Sequence, residues 1–336
     1  MSIYLIIIIV LSSLSQISDE IPRGTLPLGL EPEFEIPKGN VITEEKVRLG
    51  KRLFFDKRLS KDETISCATC HNPAKGFSNA LAVAKGVFGE SGNRNVPTVV
   101  NRLYGGTEFW DGRAATLESQ ALGPLFNPLE MGMNEALLLE RVKTDAVYGK
   151  LFYDAFGDPE PTAERIGKAI ACFERTLVTG DSAFDRYEWD GETSALSASA
   201  VRGLALFRGK ARCSTCHIGT NFTDERFHNI GAGEAGQNDA GRAGVTGDAA
   251  DFGKFKTPTL RNIAQTAPYM HDGSLERLED VIAFYDRGGR PNPNLDVEMK
   301  PLELSESERE DLRAFLESLT GRVISLNVEE LEAALE

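Results

Sequence analysis

Cys67-Ala68-Thr69-Cys70-His71 stands early in the chain, and Cys213-Ser214-Thr215-Cys216-His217 repeats its pattern about a domain's length later. Two thiols three positions apart, followed at once by a histidine, form the attachment signature of c-type haem. The thiols make thioethers to the porphyrin vinyls, and the imidazole ligates the iron. The two runs use four of the five cysteines. A zinc site needs further Cys or His partners at short spacing, and neither run has them. A dithiol redox pair would leave the histidine in both copies unexplained. The sequence therefore predicts two covalently bound haem c groups.

A chain of 336 residues suggests about two domains, with one haem in each. The formal charge of -14 argues against a nucleic-acid or anionic-membrane partner and favours a basic or dipolar redox partner drawn in by steering. Residues 1–18 carry an apolar run from Ile3 through Leu11, which reads as a signal peptide and is too short for a membrane span. Haem attachment outside the bacterial cytoplasm points the same way, to the periplasm. The expected division is an extended lead-in over 19–40, one haem domain over 41–190, a second over 191–322, and an acidic tail over 323–336.

Helical signals dominate. Thr43 is placed to cap a helix that buries Val47, Leu53 and Phe54 and delivers the chain to the first motif. After Pro161, residues Ile166, Ala169, Ile170, Phe173 and Leu177 recur on one helical face, with Cys172 at its edge as a small packing residue. Ser197 caps a helix through Val201, Leu204 and Phe207 that leads to the second motif. Ser274 starts a helix carrying Leu278, Val281, Ile282 and Tyr285. Ser305 and Glu308 form a capping box for a last helix that stops at Gly321. Between these, 72–95 and 229–254 are aperiodic loops. No alternating pattern predicts strands, so the fold class is mainly α: two cytochrome c-like domains, each with one covalent haem.

The run Leu49-Gly-Lys-Arg-Leu-Phe-Phe-Asp56, both haem motifs, Phe109-Trp110-Asp111-Gly112-Arg113, Thr257-Pro-Thr-Leu-Arg-Asn262 and Ala267-Pro-Tyr-Met-His-Asp-Gly273 together resemble the bacterial dihaem cytochrome c peroxidases and the related MauG-type enzymes. The resemblance covers roughly residues 40 to 319. It implies an amino-terminal haem that reacts with hydrogen peroxide, a carboxy-terminal haem that transfers electrons, and a calcium ion between them. It further implies that Trp110 is the inter-haem tryptophan, Gln120 and Glu130 the distal-pocket pair, and Pro124 the proline lining that pocket. Asn95, with the carbonyls of Thr266 and Pro268, resembles the calcium site. Taken alone, Trp110 would read as core packing and Glu130 as a solvated loop charge. An indole between two porphyrins is an oxidisable way-station, and a carboxylate over an open iron can move a proton between the two oxygens of peroxide.

Two departures bear on function. Peroxidases that need reductive activation cap the first iron with a histidine from the loop after the motif, yet 72–95 holds neither His nor Met. The first haem is therefore expected to be open. For the second haem, Met270 is the obvious chemical ligand, whereas the family's ligand position falls on Tyr285, as in MauG-type enzymes. Tyr285 is the favoured reading, with Met270 as the alternative. His228 and His271 are assigned to haem-propionate or backbone contacts. The readings carried forward are a peroxidase fed by a c-type cytochrome or cupredoxin, a MauG-like enzyme oxidising a partner protein's side chains, and a dihaem electron carrier. A second copy of the chain stays open as a further partner.

Overall fold

The computed structural model describes residues 26–31, 34–233 and 239–326. The expected signal peptide and most of the expected acidic tail lie outside the described residues. The Thr43 hydroxyl accepts from the Lys46 amide and starts α1 (Glu44–Phe55), with Glu44 and Glu45 against the positive end of the helix. The first motif forms α2 (Cys67–Cys70), and α3 (Leu117–Phe126), α4 (Glu135–Lys143), α5 (Ala146–Phe156) and α6 (Ala163–Thr176) follow. Strand β1 (Leu177–Gly180) leads into α7 (Ala183–Trp189) and α8 (Ala198–Arg208). Beyond the second motif come β2 (Phe227–His228), α9 (Ala243–Thr246), β3 (Phe255–Lys256), α10 (Leu278–Asp286), α11 (Glu306–Glu317) and β4 (Arg322–Ser325). The chain is mainly helical. Among the described residues, no helix is long and apolar enough to cross a membrane.

Two cores organise these elements. The first gathers Leu49, Leu53, Phe54, Leu125, Phe152, Ile166, Ile170 and Phe173 from the amino-terminal half. The second gathers Phe184, Leu204, Phe207, Phe222, Ile282, Leu312 and Phe315. Each is built on one crossing. In the first, α1 lies across α6, and a Cβ added at Gly50 would overlap the carbonyl oxygen of Ala169. In the second, α8 lies across α11, and a Cβ at Gly203 would overlap the carbonyl oxygen of Asp311. Glycine weakens a helix interior, so these two positions trade helix propensity for backbone contact. Four residues further on, Phe54 and Phe207 use the closeness. Phe54 meets Phe173 edge-on at 5.2 Å, and Phe207 meets Phe315 at 4.9 Å, geometries that add to plain burial.

Several sequence expectations shift. Leu177 leaves the helical stripe and opens β1, which pairs antiparallel with β4, Leu177 opposite Ser325 and Gly180 opposite Arg322. Residues 323–325 thus belong to a ladder and not to a tail. β1 went unseen because all of it is buried, and a strand covered on both faces shows no alternation; β4 is only four residues long. α7 lies within the stretch 41–190 read as the first haem domain, yet its Phe184 packs into the second core. Ser274 does not start a helix: its amide donates to Asp272 in a turn, and α10 begins at Leu278 after Arg277. Ser197 and the Ser305–Glu308 box cap α8 and α11 as read, and Cys172 is buried with its thiol against Asn40.

Replacing Gly50 or Gly203 by Ala should lower unfolding free energy by about 1–3 kcal/mol, the usual cost of overpacking. Gly149→Ala on α5, where an added Cβ meets nothing within 4 Å, should be neutral or stabilising. Denaturant titrations of the three variants check the contrast.

Candidate active site

Each motif places its histidine in the same local geometry. Cys67 and Cys70 sit one helical turn apart on α2, held by the Ser66 amide donating to Thr69 Oγ1 at 2.9 Å. His71 follows, and its Nδ1 donates to the carbonyl of Phe77 at 3.2 Å. In the second motif His217 Nδ1 donates to the carbonyl of Phe222 at 2.9 Å. A carbonyl only accepts, so each bond fixes the proton on Nδ1 and leaves the Nε2 lone pair free. Burial pushes His71 down to about 4 and lowers His217 as well, so both rings are neutral donors. The carbonyls are turned back by left-handed residues, Phe77 at φ 58° and Phe222 at φ 52°, a strained backbone of the kind that gathers at functional sites. Burial also pushes the Cys70 thiol up to about 11 and Cys213 up to about 12. Reactive dithiols show the reverse shift. The residues present fit haem c at both motifs.

Around the second motif an apolar cavity opens, with Cys213, Cys216 and His217 among its walls. From α10 the helical face Leu278, Val281, Ile282 and Tyr285 lines it, and Met270 faces it from the loop. Burial, with the nearby Cys213 and Cys216, raises the Tyr285 phenol well above its ordinary value. Both candidate ligands thus reach the cavity that holds His217.

Trp110 lines this cavity too. Its indole Nε1 donates to the carbonyl of Asn95 at 2.9 Å, and its own carbonyl accepts from the Lys256 amide at 2.8 Å. The same loop reaches the first site: Phe109 packs near Gly123 of α3, and the Arg113 guanidinium lies 3.5 Å from the Phe109 ring centre. Residues 109–113 therefore span from one site to the other.

Gln120 and Pro124 lie one turn apart on α3, and Glu130 follows the helix in a loop pinned at several points. Val87 N donates to the Glu130 carbonyl, Met131 N to that of Pro124, and Lys61 N to that of Met131. The Glu130 carboxylate accepts from Asn127 Nδ2 at 2.7 Å. Burial raises its pKa, while Asn127 and the charge of Arg113 act against the rise. Its charge is felt at both Cys67 and Cys70, which places the acid beside the first motif. Asn95, Thr266 and Pro268 all line the second cavity, with the Asn95 amide nitrogen donating to the carbonyls of Leu81 and Ala82.

The two spare histidines both line the second cavity. His228 is held by carboxylates, Nδ1 to Asp296 at 2.7 Å and Nε2 to Asp224 at 2.9 Å. His271 stacks on Phe255 at 3.7 Å, and its carbonyl accepts from Asn95. Sequence reasoning passed over Asn127 and Arg113, the two residues that tune Glu130. Asn127 carried a signal, since it stands three residues before the acid where a turn brings their side chains together.

A family model described as di-haem cytochrome c peroxidase matches residues 44–194. The methylamine utilization protein MauG of Methylorubrum extorquens is 47% identical over 298 residues, covering 88% of this chain and 84% of its own. Cytochrome-c peroxidase IdrP1 of Denitromonas iodatirespirans is 36% identical over 325 residues, covering 88% and 86%. Among solved structures, a MauG-like protein associated with microbial copper homeostasis superposes with a TM-score of 0.81 at 35% identity, covering 88% of this chain and 95% of that one. The chain belongs to the di-haem cytochrome c peroxidase family and is an oxidoreductase.

Proposed function

We propose that this protein is a periplasmic dihaem c-type peroxidase. It reduces hydrogen peroxide to water at the amino-terminal haem, with two electrons relayed from a c-type cytochrome or cupredoxin through the carboxy-terminal haem and two protons taken from solvent. The observation that carries the reading is Glu130, a buried acid fixed by Asn127 beside the first motif. Cys67, Cys70, Cys213 and Cys216 hold the two haems by thioethers, and His71 and His217 ligate the irons. When bound, the haems supply the iron centres that accept peroxide and exchange electrons.

The chain's own residues do the rest. Glu130 as carboxylate takes a proton from one peroxide oxygen and returns it to the other, which makes water the leaving group. Gln120 orients the peroxide, and Pro124 limits the pocket. Trp110, locked by its bonds to Asn95 and Lys256, offers the way between the two sites. Asn95, with the carbonyls of Thr266 and Pro268, holds calcium at the seam. Two cytochrome c-like domains, one around each core, carry one haem apiece.

A second reading is MauG-like oxidation of side chains in a partner protein. Tyr285 in the second cavity favours it, because a phenolate ligand lowers a haem's potential, whereas Met raises it. Peroxide turnover with a reduced cytochrome or copper protein, set against turnover with candidate protein substrates, tests the two. Rapid consumption of the small donor supports the peroxidase; peroxide-dependent modification of a protein with a sluggish donor reaction supports the second.

Glu130→Gln keeps the shape and removes the base, so peroxide turnover should fall by about 10²–10⁴-fold. The rate should rise with pH as the raised carboxyl ionises, and Asn127→Leu, which removes a bond to the carboxylate, should move that rise to higher pH. The fully ferric protein should react with peroxide on rapid mixing without pre-reduction, since 72–95 offers no His or Met to cap the iron. Tyr285→Met should change the second haem's spectrum and raise its reduction potential, and Met270→Leu should leave that spectrum nearly unchanged. The reverse pattern in spectroelectrochemical titration would assign the ligand to Met270.

A further inference from the structure

Glu174 sits on α6 at 3% exposure, inside a stretch buried from Ile166 through Gly180 apart from Lys168. Its Oε2 meets no hydrogen-bond partner. An orphaned carboxylate in such a place costs several kcal/mol, so the group is neutral or it changes state in use.

The surroundings show why no partner is spare. Arg175, its neighbour on the helix, is spent on Glu118 of α3 at 2.6 Å. Arg102 bridges Glu108 at 2.9 Å and Glu225 at 3.0 Å, and Lys256 pairs with Glu225 at 3.2 Å. α1 brings Gly50 and Phe54 to this part of α6, where they pack on Ala169 and Phe173. Three carboxylates, Glu108, Glu118 and Glu225, thus face three cations, Arg102, Arg175 and Lys256. Neutral Glu174 leaves the cluster balanced, and ionised Glu174 gives it one uncompensated negative charge.

The cluster also joins the two sites. Arg102, Glu108 and Lys256 line the second cavity, while the charge of Glu174 is felt at Cys67 of the first motif. Burial first, and then Glu108, pushes the Glu174 carboxyl up to about 8, within reach of ordinary working pH.

We propose that Glu174 is a redox-linked proton site: it takes one proton from solvent when an electron from the donor reaches the first haem, and releases it when that electron leaves. The inference rests on the dihaem reading. An electron added in a poorly polarisable interior raises the affinity of any nearby unpaired acid for a proton. Glu174 is such an acid, whereas Glu118 and Glu225 are held ionised by their partners and Glu108 is paired with Arg102. Over the full cycle the proton balance of peroxide reduction is unchanged.

The test is spectroelectrochemistry of the full-length haem-loaded protein, wild type and Glu174→Gln, with infrared difference spectra of the reduced and oxidised forms. In wild type the first haem's potential should fall as pH rises through a window that opens at about pH 8, below which Glu174 is protonated in both states. The difference spectrum should carry a protonated-carboxyl stretch that shifts in heavy water. Glu174→Gln should lose both the band and the pH dependence in that window while keeping two haems. A band and slope that survive the substitution overturn the proposal. Should the variant fail to fold, a wild-type spectrum without any carboxyl band overturns it equally. Failure of the dihaem reading would appear earlier and separately, as the absence of two haem signals before any titration.

Discussion

The contact on which the rest depends is backbone against backbone at two helix crossings. Where Gly50 meets Ala169 and Gly203 meets Asp311, any side chain would hold the helices apart. Each crossing fixes the helix that precedes a Cys-x-x-Cys-His run, and so fixes where the run emerges. The aromatic rings that fill the wedge beside each crossing, Phe54 with Phe173 and Phe207 with Phe315, contribute apolar burial worth about 1.5–3 kcal/mol per side chain. The strained turns at Phe77 and Phe222 are then tolerable, because the frame around them is over-determined. The histidine tautomers descend from these turns, and the capacity to bind iron descends from the tautomers.

Two buried acids show how the same physics serves different ends. Glu130 and Glu174 are both raised by desolvation. Glu130 keeps one amide donor and the field of Arg113, which hold its shift in check and leave it able to ionise beside the first motif. Glu174 keeps no donor at Oε2 and sees its neighbouring cations already engaged. Local supply of hydrogen bonds, and not depth alone, separates a working base from an acid poised to change state.

Much of this was readable in the sequence. The paired motifs, the caps at Thr43, Ser197 and Ser305, and the apolar faces of α6, α8 and α11 are local signals, written within a few residues of one another. What escaped was long-range or strained. The β1–β4 ladder joins segments far apart in the chain, each of four residues and too short to carry a period. The return of the Phe77 and Phe222 carbonyls to the preceding histidines needs left-handed phenylalanines, which no propensity favours. His228 between Asp224 and Asp296, and the charge cluster around Glu174, depend on partners that only the folded chain brings together. The positions named through family resemblance stood in local motifs, whereas the electrostatics around them did not.

The ladder between β1 and β4 has a consequence for the order of events in the cell. Residue Val323 packs against the first core, and the Leu326 amide donates to the Thr176 carbonyl, so the amino-terminal half is closed by residues near the end of the described chain. Until those residues arrive, the edge of β1 stands open, and the two halves cannot be finished one after the other as beads on a string. The amino-terminal half is in that sense completed only when residues 322–326 pair with the middle of the chain.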